Sequence, residues 1–492
     1  MARDYFENYI KKIVSDKSVE EQRTEIGAVS EPDTSVIKIS SNQFYDLAIN
    51  NGNVIIPGTG IFNVNLGIKD GIITTITNTV LTAAQVVDAG DKYVSPGIID
   101  PHVHLGLFAP FEKEIESETK AALAGGVTTL GCYFASTDSH SNTFPRIGEK
   151  IASLSNTDII PHLIINNDIQ KKEIRDYVSR LGVTSFKLYM NGVPGIMPDV
   201  DDGFILDVFE EIKKIDKKCV VCVHTENRDI VRRATAMVKE ELADMAKLTD
   251  WSRTHPEMAE EEAAIRISYL AKKIGVDIYL VHISSADAIK SLRNIKKSNE
   301  FINIETTSPY LSLNNKSTVS NVIKMEPPIR SATDAEELWT GIIDDTIDTI
   351  GTDNVTMTEE EKKLLSTNIW DVMPGYPATE THLPVLLNEG VIKRRIPIQK
   401  IIEKITKRPA EVFGIYPQKG SMMIGSDADI TIIDLNRKKN VNAGALHSRS
   451  DFSIYEGKTL QGWPVTTIKS GQIVYANEKF TDKKAVCKYI RR

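Results

Sequence analysis

The sequence predicts an α/β protein in which a (β/α)8 TIM-type barrel is joined to a small β-sandwich domain built from both chain ends. Three observations carry that reading. Eight short apolar runs alternate with amphipathic helical stretches over roughly 250 residues, the size and strand count of such a barrel. Short strands with Gly and Asn turns precede the barrel text, and more of them follow it. Ionisable residues fall at the ends of the apolar runs, the place where barrels of this kind build active sites.

Residues 1–44 read as a polar N-terminal extension, with Phe6, Tyr9, Ile10 and Ile13 at helical spacing. From Asp46 the pattern becomes strand and turn. Asp46–Ile49 leads to the turn residues Asn50–Asn53 and then Val54–Ile56, while Lys69-Asp70-Gly71 separates Val64–Ile68 from Ile72–Ile76. Residues 45–95 and 415–482 are assigned to the sandwich; the second stretch supplies Ala428–Ile433 and two strands flanking Ser470-Gly471. Residues 96–414 are assigned to the barrel. Its strands are read at Ile98–Leu105, Thr128–Phe134, Ile159–Ile165, Ser185–Met190, Val220–Thr225, Ile278–Ile283, Ile302–Thr306 and Thr346–Thr352.

The 492 residues are 41% hydrophobic and 26% charged, a globular balance that excludes disordered, collagenous and disulfide-scaffold classes. A net charge of −8 gives no general attraction to nucleic acid or to an anionic membrane. No run approaches the length of a spanning helix, and the first residues lack the apolar core of a secretory signal. Four cysteines in so long a chain, with no leader, read as a cytoplasmic protein.

The chemistry is legible at the strand ends. His102 and His104, two apart on the first strand, point to one face. His224 closes the fifth strand, His282 the sixth, and Asp353 follows the eighth. Imidazoles and a carboxylate in this number suit zinc or a similar divalent ion, manganese and cobalt included. Singly, each residue has an ordinary reading as well, Asp353 as a turn-capping aspartate for example. Lys187 stands in the otherwise apolar strand Ser185–Met190. Its ammonium either snorkels out or pairs with an acid, or burial lowers its pKa and exposes a neutral amine able to capture carbon dioxide as a carbamate. Cys219 and Cys222, three apart on one strand, face opposite ways and read as structural, with Cys222 sharing the parity of His224. Glu114, Glu116 and Glu118 read as a solvated loop or helix start.

Taken in order, Ser95–His104, Ala124–Thr129, Ser185-Phe186-Lys187, Val223–Asn227, Val281–Ser285, Pro327–Arg330, Glu380–Pro384 and Tyr455-Glu456-Gly457 resemble the cyclic amidohydrolases of the hydantoinase, dihydropyrimidinase, allantoinase and dihydroorotase group. The likeness spans about residues 45 to 480. It implies two divalent metals, one held by His102, His104 and Asp353 and the other by His224 and His282, with carboxylated Lys187 as the bridge. It implies a metal-bridging hydroxide as nucleophile, Asp353 as proton shuttle, a small cyclic amide, imide or ureide as substrate, and a homotetramer or dimer. The substrate-facing positions depart from the pattern. Leu105-Gly106 replaces the x-Arg that holds the carboxylate in dihydroorotases. Gly192 stands where hydantoinases carry a tyrosine; Tyr189, on the face of Lys187, is a substitute donor. Pro374-Gly375 replaces Asn-Gly, Glu326 replaces a small polar residue whose backbone meets the ring, and Asn354 follows the aspartate in place of histidine. Tyr189, Glu326 and Gly375 are therefore the expected substrate contacts. The alternatives are an allantoinase-like ureide hydrolase, an inert oligomeric scaffold, which every retained ligand opposes, and a mononuclear deaminase, which Lys187 opposes.

Overall fold

The computed structural model describes residues 44–492 apart from 194, 317–320, 367 and 484. The helix expected at Phe6–Ile13 lies outside the described residues. The first sheet is formed by β1 (Tyr45–Ile56), β2 (Gly60–Lys69), β3 (Ile72–Thr77), β4 (Ala83–Asp88) and β5 (Tyr93–Pro96), together with the late strands described below. β1 is one continuous strand, which corrects the expected turn at Asn50–Asn53. Its register against β2 shifts between Ile49 and Gly52, so Asn50 and Asn51 form a bulge. Asn51 takes a left-handed φ of 59° and donates its N–H to Asn65 Oδ1 at 2.8 Å, while Asn50 binds both backbone groups of Leu81, and the chain is kinked without reversing. The turn at Asp70-Gly71 forms as expected, with φ of 50° and 77°.

The barrel strands follow as β6 (Ile98–His104), β7 (Val127–Phe134), β8 (Asp158–Ile164), β9 (Ser185–Tyr189), β10 (Val220–His224), β11 (Asp277–Leu280) and β12 (Ile302–Thr307). The eighth position is divided. β13 (Thr349–Gly351) pairs with β12, β14 (Asn354–Val355) pairs with β6, and Thr352-Asp353 lies between them. That division closes the cylinder. Asp100 on β6 holds the junction, accepting from Thr352 N at 3.0 Å, Thr352 Oγ1 at 2.6 Å and Thr379 Oγ1 at 3.3 Å. Most outward side chains pack beneath the helices; Ile99, Tyr133, Ile160, Tyr189, Cys222 and Tyr279 fill the interior. Cys219 belongs to the outer cluster and Cys222 to the inner one, as strand parity requires, and all four cysteines are free and buried.

After the barrel, β15 (Ile430–Asn440), β16 (Thr459–Lys469), β17 (Gln472–Ala476) and β18 (Lys479–Phe480) extend the first sheet, β15 pairing with β5. A buried ionic seam ties this sheet to the barrel. Lys469 and Lys419 each lie 2.7 Å from Asp158 at the start of β8, and 3.0 and 2.6 Å from Asp429. The last residues run along the barrel floor, where the Arg492 guanidinium donates to Pro161 O and Ser185 Oγ at 2.8 Å.

Glu114 and Glu118 are not solvated. They lie one turn apart on the helix Phe111–Ala124 and are 1% and 2% exposed. Glu114 pairs with Arg449 at 2.8 Å, and Glu118 accepts from Ser448 Oγ and Arg449 N, so the two carboxylates clamp a C-terminal segment to the barrel. Glu116 alone fits the solvated reading.

Gly131 on β7 abuts β6 so closely that a β-carbon there would overlap the Pro101 carbonyl oxygen. Gly131→Ala is expected to cost about 3 kcal/mol, read as a lowered urea midpoint with the slope unchanged.

Candidate metal centre

His102, His104, Lys187, Tyr189, His224, His282, Glu326, Asp353 and Gly375 all line one cavity of about 70 Å3 at the mouth of the barrel. The strand ends place them there, and two positions need unusual backbone. His282 and Asp353 have φ of 41° and 55°, the left-handed region that non-glycine residues seldom occupy outside turns and functional sites. At each, the strand ends and the backbone twists its side chain into the cavity.

Two groups of donor atoms result. In the first, His102 Nε2 and His104 Nε2 lie 3.2 and 3.4 Å from Asp353 Oδ1. His102 Nδ1 is 2.9 Å from Glu305 Oε2, and in the tautomer that donates from Nδ1 to this carboxylate the Nε2 lone pair faces Asp353. Burial lowers the His102 pKa well below its ordinary value, so the ring is neutral. Burial also works to raise the Asp353 pKa, but the neighbouring His102, His104 and Lys187 hold it below the usual carboxylate range. A lone pair and an anionic oxygen facing one another, both sealed from water, fit a cation between them.

In the second group, His224 Nδ1 lies 3.0 Å from His282 Nε2. Glu226 accepts from His224 Nε2 and from His255 Nδ1, each at 2.9 Å. The Nε2 proton thus leaves the His224 Nδ1 lone pair toward His282. Burial pushes the Glu226 carboxyl upward, but His255 and His224 override it and hold it well below its ordinary value.

Lys187 stands between the groups. It is fully buried, its Nζ has no hydrogen-bond partner among the described residues, and the ring centroids of Tyr133 and Tyr189 lie 4.8 and 4.9 Å away. Burial pushes its pKa down to about 8. A buried primary amine without an acceptor fits a group that must react before its environment is satisfied.

At the remaining positions that depart from the hydantoinase pattern, a side chain at Gly192 would overlap the Met197 carbonyl, so the loop after β9 leaves no space for a tyrosine there. The Gly375 carbonyl accepts from Lys362 Nζ at 2.6 Å, and a side chain at Gly375 would overlap Met357. Asn354 turns its Oδ1 to Ala378 N at 2.7 Å and braces the loop.

With the site in place, comparison with known proteins assigns the class. The profile described as the amidohydrolase family matches residues 93–474. The chain belongs to that family, and within it to the cyclic amidohydrolases, enzymes that hydrolyse C–N bonds in cyclic amides. It is 30% identical to a D-hydantoinase of Geobacillus stearothermophilus, covering 90% of this chain and 96% of that one. It is 29% identical to an L-hydantoinase of Paenarthrobacter aurescens, covering 87% and 94%. The solved L-hydantoinase (dihydropyrimidinase) of Arthrobacter aurescens superposes with a TM-score of 0.84 at 27% identity, over 91% of this chain and all of that one. A dihydropyrimidinase from Brevibacillus agri gives 0.83 at 26%, over 90% of this chain and 98% of that one. Among the described residues no helix is long and apolar enough to cross a membrane.

Sequence reasoning missed Glu305, Glu226 and His255, which orient the histidines. Glu305 had a signal, a carboxylate inside the apolar run Ile302–Thr306, and Glu226 shares strand parity with His224. His255 had none, since it lies in a loop far along the chain. The trio Asp158, Asp427 and Asp429 has ligand-like spacing, but Lys419 and Lys469 neutralise it.

His255 tests the second group. Burial lowers its pKa, yet Glu226 overrides burial and raises it. In metal-free Glu226→Gln the two largest raising influences are gone and burial faces only the weaker, opposed charges of Glu326 and Arg330, so the His255 pKa is expected to fall from its wild-type value, read from its imidazole NMR shifts against pH.

Proposed function

We propose that this chain is a binuclear metal hydrolase that opens a hydantoin- or dihydropyrimidine-like ring. The observation that carries the reading is the buried, unpartnered Lys187 amine between two groups of metal-ligand atoms. His102, His104 and Asp353 would hold one divalent ion and His224 with His282 the other, a nitrogen and oxygen donor set that suits zinc.

 Lys187 would bridge them as a carbamate: its neutral amine adds to the carbon of carbon dioxide and loses a proton, leaving an anion with two oxygens. Two such ions lower the pKa of water and polarise a carbonyl oxygen.

The chain's own residues supply the rest. Asp353, held below the usual carboxylate range, accepts a proton from the attacking water and delivers it to the amide nitrogen that leaves, which departs poorly unless protonated. Glu305 and Glu226 fix which imidazole nitrogen faces the site. Tyr189, stacked at 5.5 Å on His224, is the candidate donor to the developing oxyanion in place of the tyrosine that Gly192 excludes. Glu326 and Gly375 line the space for the ring. An allantoinase-like ureide is the second reading, favoured by Glu326 in that wall, since a carboxylate suits a ring rich in N–H donors. The division into an extension, a sandwich and a barrel, a homo-oligomeric state and a cytoplasmic setting belong to the same proposal, supported by the likeness to the family.

Elemental analysis of undialysed protein is expected to give about two divalent ions per chain; none after adding metal and bicarbonate would remove the reading. Lys187→Ala is expected to lose metal and ring opening together, with partial rescue by a short carboxylic acid. Asp353→Asn is expected to keep its circular dichroism and lose about a thousandfold or more in kcat, measured on hydantoin and dihydrouracil.

A further inference from the structure

The metal-ligand cavity opens into a wider cleft of about 860 Å3, and Glu326 lines both. The other charged groups of the cleft wall have partners. Arg232 and Arg228 share Asp199 at 2.9 and 2.7 Å. Lys324 donates to the carbonyls of Ile369 and Val372 at 2.8 and 2.6 Å and lies 3.9 Å from the Trp251 ring centroid. His255 is bound to Glu226, and Lys239 lies 4.9 Å from the Trp370 ring centroid.

Glu326 differs. Its carboxylate has no hydrogen bond or ion pair to another described residue, although it feels the charges of His255, Lys324, Glu226 and His224. It lies on the boundary that the inner cavity and the cleft share, together with Val193, Ile196, Met197 and Pro374. Glu326 is half-buried, so its carboxylate is open to the cleft and free to accept from a ligand, and a ligand that covers it without supplying a donor pays the cost of desolvating it. Beyond it, Trp251 and Trp370, with ring centroids 6.1 Å apart, add aromatic surface for the carbon chain of a substituent, each ring already carrying a lysine on one face.

Resting on the ring-opening reading above, we propose that Glu326 makes the enzyme selective for rings whose substituent carries a cationic amine or guanidine. The ring occupies the inner cavity, the substituent extends past Glu326 into the cleft, and a charge-assisted hydrogen bond forms there. An apolar substituent leaves the carboxylate desolvated and unpaired, and an anionic one adds repulsion.

The test compares 5-(3-aminopropyl)hydantoin, 5-butylhydantoin and 5-(2-carboxyethyl)hydantoin with the metal-loaded enzyme. The amine is expected to exceed the butyl ring in kcat/KM by at least about tenfold, with the carboxylate lowest. Glu326→Gln is expected to bring the amine-to-butyl ratio near one, chiefly through KM. The wild-type ratio needs no variant, so a misfolded Glu326→Gln leaves the proposal open to refutation. A wild-type ratio of one or less, or a ratio that survives Glu326→Gln, overturns the role of Glu326 while ring opening stands. Failure to open any of the three rings removes the ring-opening reading, and this inference with it.

Discussion

The site depends on how the barrel closes. A cylinder of parallel strands must join its last strand to its first, and here Asp100 makes that join with three hydrogen bonds to Thr352 and Thr379. Thr352 precedes Asp353, and Asp100 stands two residues before His102. The clasp that seals the cylinder therefore sets the distance from Asp353 to both histidines of β6. Burial pushes the Asp100 pKa up to about 7, the cost of placing an acid where strand pairing alone leaves a gap.

Around that join, dryness and orientation act together. Seclusion from water keeps His102 and His282 neutral and strips Lys187 of its hydration. Neutral imidazoles have two tautomers, and carboxylates behind His102 and His224 select the one whose lone pair faces the cavity. Glu305 also accepts from His282 N at 3.0 Å, so one carboxylate ties β12 to ligand candidates from two other strands. Burial raises Glu305 to about 8, in keeping with its place beneath the site and away from solvent.

Much of this was legible in the sequence because barrels put chemistry at strand ends and strands alternate faces. That parity placed His102 with His104 and Lys187 with Tyr189, and separated Cys219 from Cys222. The misreadings have local causes. Asn50–Asn53 has the composition of a turn, but only the partner strand decides between reversal and bulge, and Asn65 settles it through a side-chain bond. Glu114 and Glu118 look like surface charge until Arg449, more than three hundred residues later, arrives to pair with them. His255 and the division of the eighth strand at Asp353 depend on contacts between distant segments, which spacing along the chain does not encode.

The ionic seam of Asp158, Lys419, Asp429 and Lys469 has a consequence for synthesis. Asp158 begins the third barrel strand, yet its counter-charges are translated more than two hundred and sixty residues later. Until they leave the ribosome, the nascent barrel carries a buried acid without its cations, which opposes full burial of that strand's base. Final packing is thereby deferred to the end of translation, and a chain truncated before Lys469 would be left as a client for chaperones and proteases.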